Sequence, residues 1–231
     1  KKNGKGLAVY LNTLLDTYDT MRRKDYGGAS HRALVSALLA RAGVAPAISV
    51  LTPGGSQLGQ AQVVRYQFGD SLVLAILKEN VEGVVGRDGV TTYNDANLGQ
   101  VARQEITIRL PEKFYVADVR TGEKLGYTDE VKTSVTAGGA AVFGLSRSQI
   151  SLDATGPAEA TAGEHPVFTI TSTPAGRRLV RCHFFAPDGT FLYNYAANII
   201  CDGGAGTVVL PSACNDAPGV YTLKATDVVS G

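Results

Sequence analysis

Ala61-Gln62-Val63-Val64-Arg65-Tyr66-Gln67-Phe68-Gly69-Asp70-Ser71-Leu72-Val73-Leu74-Ala75-Ile76-Leu77 is the stretch that decides the fold class. Two runs of strand length, rich in β-branched and aromatic residues, flank the pair Gly69-Asp70. That arrangement reads as a β-hairpin closed by a two-residue turn. Outward from the hairpin the same pattern repeats. Short apolar runs at 47–51, 103–110, 114–119, 131–136 and 140–145 are expected to be strands, separated by Gly, Pro, Asn and Asp. Leu110-Pro111-Glu112-Lys113-Phe114-Tyr115-Val116-Ala117-Asp118-Val119-Arg120-Thr121-Gly122-Glu123-Lys124-Leu125-Gly126 reads as a strand, a turn and the start of the next strand.

Downstream, the breakers Gly156, Pro157, Gly163 and Pro166 mark entry into a second β-domain. Strands are expected near 150–154, 167–172, 178–186, 190–200, 206–210 and 219–228. The turns Ala186-Pro187-Asp188-Gly189 and Asn215-Asp216-Ala217-Pro218-Gly219 punctuate them. Strands at this spacing point to an immunoglobulin-like sandwich. Charge divides at the same place. Residues 1–148 carry 18 Lys and Arg against 14 Asp and Glu, whereas residues 149–231 carry 4 against 7.

Upstream of the hairpin the pattern differs. Residues 4–19 hold a short apolar run, 7–11, introduced by Gly4-Lys5-Gly6. The run suits a strand buried on both faces of a mostly parallel sheet. Such a strand needs neighbours, so the chain is expected to be the C-terminal end of a larger protein. A helix is expected over 31–42, with Ser30 as N-cap, Leu34, Val35, Leu38, Leu39 and Ala42 as its apolar stripe, and Gly43 at its C-terminal end. The fold class is therefore mainly β with a short α/β remnant. Its divisions are 1–46 (end of an α/β, amidotransferase-like domain), 47–148 (a β-sandwich) and 149–231 (the immunoglobulin-like sandwich).

Composition narrows the function. The net charge of +1 projects no strong field toward nucleic acid. No apolar run approaches the roughly 20 residues of a membrane helix. Residues 1–148 contain no cysteine, so no cysteine nucleophile lies there. The sequence has no Gly-x-Ser-x-Gly elbow, phosphate-cradling Gly-x-x-x-x-Gly-Lys-Ser/Thr loop or His-Glu-x-x-His zinc motif. No catalytic residue, cofactor or metal ligand is expected. His31 in the first turn of the helix reads as a solvated or capping residue. His165 is isolated, and His183 is adjacent to Cys182 on a strand, where neighbours face opposite ways. The polar segment 80–102, with Asp88, Asn94, Asp95 and Asn97, has oxygen ligands in number but not the helix–loop–helix calcium spacing, and reads as turn chemistry.

Two features remain as candidates for contact. Tyr193 and Tyr195 are two apart on an expected strand and would share a face, as a stacking platform for a glycan or a partner or as a packed aromatic pair. The three cysteines, Cys182, Cys201 and Cys214, fall in the last third, which fits an oxidising compartment. Cys201 and Cys214 are the nearest pair and the candidate disulfide. The intervening strand of four residues spans about 13 Å against the about 7 Å a disulfide tolerates, so buried free thiols are the competing expectation.

Gly4-Lys5-Gly6, the strand after it, Asn12, Leu15 and Tyr18 together resemble the end of the trimerisation domain of β-galactosidase-like enzymes of glycoside hydrolase family 42. Residues 110–126 with 140–145 are similar to the β-domain that follows it. The resemblance implies a parent that hydrolyses β-linked sugars with carboxylates in a barrel upstream of Lys1, and no catalytic residue of the family maps onto this chain. The expected role is a non-catalytic assembly or accessory region of a secreted or cell-envelope hydrolase of bacterial type. Its partners would be the rest of the parent polypeptide or sister subunits, and carbohydrate. The alternative is a surface or adhesion module of tandem β-sandwiches that binds a protein or glycan.

Overall fold

The computed structural model describes residues 2–3, 6–7, 9–10, 29–78, 84–85, 91–92 and 103–231. Its elements, in chain order, are β1 (Lys2–Asn3), β2 (Gly6–Leu7), α1 (Ala29–Arg41), β3 (Ser49–Leu51), β4 (Ala61–Phe68), β5 (Ser71–Lys78), β6 (Val84–Val85), β7 (Thr91–Thr92), β8 (Gln104–Asp118), β9 (Lys124–Val135), β10 (Ala140–Ser146), β11 (Ser151–Thr155), β12 (Val167–Thr173), β13 (Arg178–Phe185), a 3₁₀ turn (Tyr193–Tyr195), β14 (Ala197–Cys201), β15 (Ala205–Val209) and β16 (Thr222–Asp227). The protein is mostly β, with one α-helix among the described residues.

The residues group into two units that do not follow chain order. One holds 1–62, 77–111 and 130–140; the other holds 63–76, 112–129 and 141–231. The second unit thus draws in segments from before residue 149, where the sequence places a boundary.

In the first unit, β3 pairs antiparallel with the start of β8, Val50 lying opposite Ile108. Ile106, Ile108 and Leu110 alternate inward on β8 and are buried, as are Val50, Val131 and Val135. Helix α1 ends as its glycine requires. Gly43 sits at φ +76°, its N–H donates to the Ala40 carbonyl at 3.0 Å, and the Val44 N–H donates to that of Leu39 at 2.9 Å. This crossed pair closes the helix and satisfies carbonyls the last turn leaves open. The expected apolar stripe is not enclosed: Leu34 and Leu38 are half-buried, while Val35 and Leu39 are exposed.

The N-terminal reading is corrected. Leu7 belongs to a two-residue ladder and lies antiparallel to Lys2, and Val9 and Tyr10 are exposed and outside any strand. An apolar run is buried only where a partner surface meets it, and local composition does not supply that surface. The rest of 7–11 lies outside the described residues. So does most of 80–102, of which 84–85 and 91–92 pair as β6 and β7.

The expected break between 103–110 and 114–119 is also absent. Strand β8 runs through Pro111 as one element and keeps its inward parity from Leu110 to Phe114 and Val116. The residue at that parity between them, Glu112, is exposed and pairs with Arg147 at 2.7 Å.

In the second unit, hairpin β4–β5 turns at Gly69 (φ +60°) and Asp70, as expected. The C-terminal half of β8 pairs antiparallel with β10, Val116 opposite Leu145. Residues 151–227 build two three-stranded sheets, ordered β11-β12-β15 and β14-β13-β16. Their inner faces share one core of Ile170, Val180, Cys182, Phe184, Cys201, Val208 and Leu210. Phe168 and Phe184 meet within it at 6.3 Å between ring centroids. This is a two-sheet sandwich, with side chains of alternate parity meeting in the middle.

Candidate functional site

Strand β13 sets the site by simple alternation. Arg178, Val180, Cys182 and Phe184 point inward and are buried; Arg181, His183 and Phe185 therefore lie on the outer face. The turn after β13 adds a fourth side chain. Gly189 takes φ +82°, its N–H donates to the Ala186 carbonyl, and the Ala186 N–H donates to the Thr190 carbonyl, each at 2.9 Å. Asp188 accepts the Thr190 N–H at 2.9 Å, and the hydrogen bonds from Thr190 hold its carboxyl below the usual carboxylate range. The reversal brings Phe191 back opposite Phe185.

The result is an aromatic cluster on the outside of the sandwich. The Phe191 ring lies 4.8 Å from His183, 5.6 Å from Phe185 and 6.3 Å from Tyr193, centroid to centroid. Tyr193 is 80% exposed and Phe191 40%. Rings in tilted and edge-on contact hold one another in place while leaving faces open to solvent.

Beside the cluster runs a cleft of about 650 Å³. Its lining includes Arg181 and His183 from β13, Lys224 and Asp227 from β16, Arg120 from the turn between β8 and β9, and Lys124 at the start of β9. In the ladder, Lys224 lies directly opposite His183, and Arg181 opposite Thr226. Partial burial depresses the His183 pKa below its ordinary value, and the charges of Arg181 and Lys224 depress it further, which favours the neutral ring. Among the described residues, no carboxylate lies within ion-pair distance of Arg181, Lys124 or Lys224. Asp227 turns its Oδ1 to the N–H groups of Val229 and Ser230, at 3.0 and 2.7 Å, and is itself buried.

The paired-tyrosine reading is corrected. Residues 190–200 are not one strand: Phe191 makes a single bridge, 193–195 is a 3₁₀ turn, and the strand begins at Ala197. Tyr193 and Tyr195 consequently part company. Tyr195 packs against the core and donates its O–H to both oxygens of Asp216, at 3.0 and 2.9 Å. That hydrogen bond, followed by burial, raises its pKa. Asp216 also accepts the Ala213 N–H at 2.8 Å, so Tyr195 fastens a loop rather than facing a ligand.

The candidate disulfide is corrected too. All three cysteines are free thiols. Cys201 is buried in the sandwich, where its Sγ approaches the Ile170 carbonyl at 3.7 Å, whereas Cys214 is exposed in the loop beyond β15. Strand β15 lies between them and carries the chain away from Cys201.

Sequence reasoning missed Arg181, Phe185, Phe191 and Lys224. The parity of residues 178–185 carried the signal for the first two, and the Pro187-Asp188-Gly189 turn the signal for Phe191. Lys224 reaches the site only through strand pairing.

A scan against protein-family models found no match, and searches of curated proteins and of solved structures found none. Function therefore rests on the site itself.

Proposed function

We propose that the chain is a non-catalytic, carbohydrate-binding accessory region, and that the outer face of strand β13 is its binding surface. The observation that carries this reading is the exposed aromatic cluster, Tyr193 and Phe191 backed by Phe185 and His183. The apolar faces of sugar rings stack on exposed aromatic rings, and their hydroxyls keep the polar rim wet. A β-galactosidase-like parent hydrolase, with its catalytic carboxylates elsewhere in the polypeptide, is the setting that the likeness of 4–18 and 110–126 favours. A surface or adhesion module using the same face is the second reading, favoured by the same rings; the two differ in what the rest of the polypeptide contains.

The test is calorimetric titration of the chain with a β-1,4-linked galactotetraose. Binding is expected, with a loss of at least tenfold in Tyr193→Ala and Phe191→Ala and no loss in Tyr195→Phe. Aryl β-galactoside is expected to remain intact. Absence of saccharide binding, or affinity unchanged by both aromatic variants, overturns the reading.

A further inference from the structure

We infer that the ligand is an acidic glycan, with the carboxylate of a uronic acid residue held between Arg181 and Lys224 while a neighbouring sugar ring stacks on Phe191 and Tyr193. The inference rests on the carbohydrate reading above and adds the substrate class.

Charge distribution carries it. Residues 149–231 hold only four cations, Arg177, Arg178, Arg181 and Lys224, among seven carboxylates. Two are engaged elsewhere: Arg178 is buried against Asp70 and Arg177 lies over the Phe68 ring at 5.5 Å. The other two, both exposed, stand together at one cleft, and Arg120 in the turn after β8 and Lys124 at the start of β9 also line it. An acidic segment that gathers its remaining cations at one place creates a local positive potential there. Asp227 is the carboxylate of that lining; its Oδ1 accepts the N–H groups of Val229 and Ser230, and its buried Oδ2 has no hydrogen-bond partner among the described residues. His183 joins the two halves of the site, since it lines the cleft and touches Phe191. A planar carboxylate matches the guanidinium fork of Arg181 in two parallel hydrogen bonds. A nucleic acid strand fits less well, because it asks for cations along a track and meets net negative charge beyond the cleft.

The experiment compares tetragalacturonate with neutral galactotetraose on the intact chain, at low and at physiological salt. Tetragalacturonate is expected to bind at least tenfold more tightly at low salt. The gap should narrow as salt rises, since surface charges are screened. It should close in the Arg181→Gln/Lys224→Gln variant, while Tyr193→Ala weakens both ligands. Both cations are exposed, so the variant should keep the parent's circular dichroism; Lys224→Glu provides an independent second variant. The His183 imidazole, followed by NMR, should titrate at higher pH when the uronate is bound, because the carboxylate offsets the charges of Arg181 and Lys224. Equal binding of the two saccharides overturns the inference and leaves the carbohydrate reading standing. Failure of both to bind overturns both. Tighter binding of a sulfated tetrasaccharide, or of a single-stranded oligonucleotide, overturns the assignment to a uronate.

Discussion

Arg178 and Asp70, 108 residues apart in sequence, form a bidentate ion pair: Nη1 meets Oδ1 at 2.9 Å and Nη2 meets Oδ2 at 2.9 Å. Nη1 also donates to the Ser71 hydroxyl at 2.6 Å. Arg178 is 1% exposed, while the Asp70 side chain is half open to water. The tip of the β4–β5 hairpin is therefore tied to the first residue of β13. A buried cation deprived of its partner is far more costly than the intact pair is stabilising. Asp70→Asn is expected to lower unfolding free energy by about 3 kcal/mol, near the bottom of the range for broken buried pairs because Asp70 is part-solvated. Urea denaturation checks it. A loss no larger than that of a surface pair, under about 1 kcal/mol, contradicts the account.

Gly144 on β10 faces the chain end. A β-carbon there would stand 1.6 Å from the Val229 carbonyl oxygen, which is backbone and has no rotamer to yield. Gly144→Ala should displace the segment around buried Val229 and destabilise the fold by about 3 kcal/mol, at the upper end of overpacking costs. Gly122→Ala is a control of a different kind, since no atom lies near its β-carbon and only its φ of +76° is strained. Its expected cost is about 1 kcal/mol. Thermal unfolding of both variants distinguishes the steric from the conformational penalty.

The thiols should differ in reactivity. Burial, with a contribution from Cys201, pushes the Cys182 thiol up to about 11, and burial raises Cys201 as well. The thiolate is the reactive form, so both should resist alkylation. Native protein treated with iodoacetamide near pH 8 is expected to gain one adduct, on exposed Cys214, and three after denaturation. Rapid native labelling of Cys182 would contradict the buried placement.

His183 should make the fold slightly acid-sensitive. Its pKa in the folded chain lies below the ordinary value of 6.5, first through burial and then through Arg181 and Lys224. Below the ordinary value the unfolded chain binds more protons than the folded one. The histidine's contribution is thus complete above pH 6.5 and is lost as pH falls through the folded value. The urea midpoint should fall between about pH 7 and about pH 5.5 more in the wild type than in His183→Gln. Equal slopes would show that the ring is not held among these charges.

Much of the architecture was legible locally. The hairpin at Gly69-Asp70, the turn at Pro187-Asp188-Gly189 and the helix end at Gly43 all stand where the residues place them, because each depends on a few adjacent backbone angles that glycine, proline and aspartate control. Residues 190–200 misled for an equally physical reason. Phe191, Tyr193 and Tyr195 alternate as a strand would, but Tyr195 is drawn to Asp216 and the chain coils there instead. The break expected near Pro111 is absent: β8 pairs with β3 at Thr107–Arg109 before it and with β10 at Tyr115–Asp118 after it, two strands distant in sequence that hold both flanks extended.

The amino-acid sequence by itself determined the β class, the turns, the parity that sends Arg181, His183 and Phe185 to one face of β13, and the scarcity of cations after residue 149. The tertiary structure alone decided that Lys224 stands beside His183, that Phe191 packs against His183 and Phe185, that Cys201 and Cys214 stay apart, and that Asp70 meets Arg178. The first set follows from interactions among residues a few positions apart. The second depends on which strands pair and in what register, and that choice is made by burial summed over the whole core.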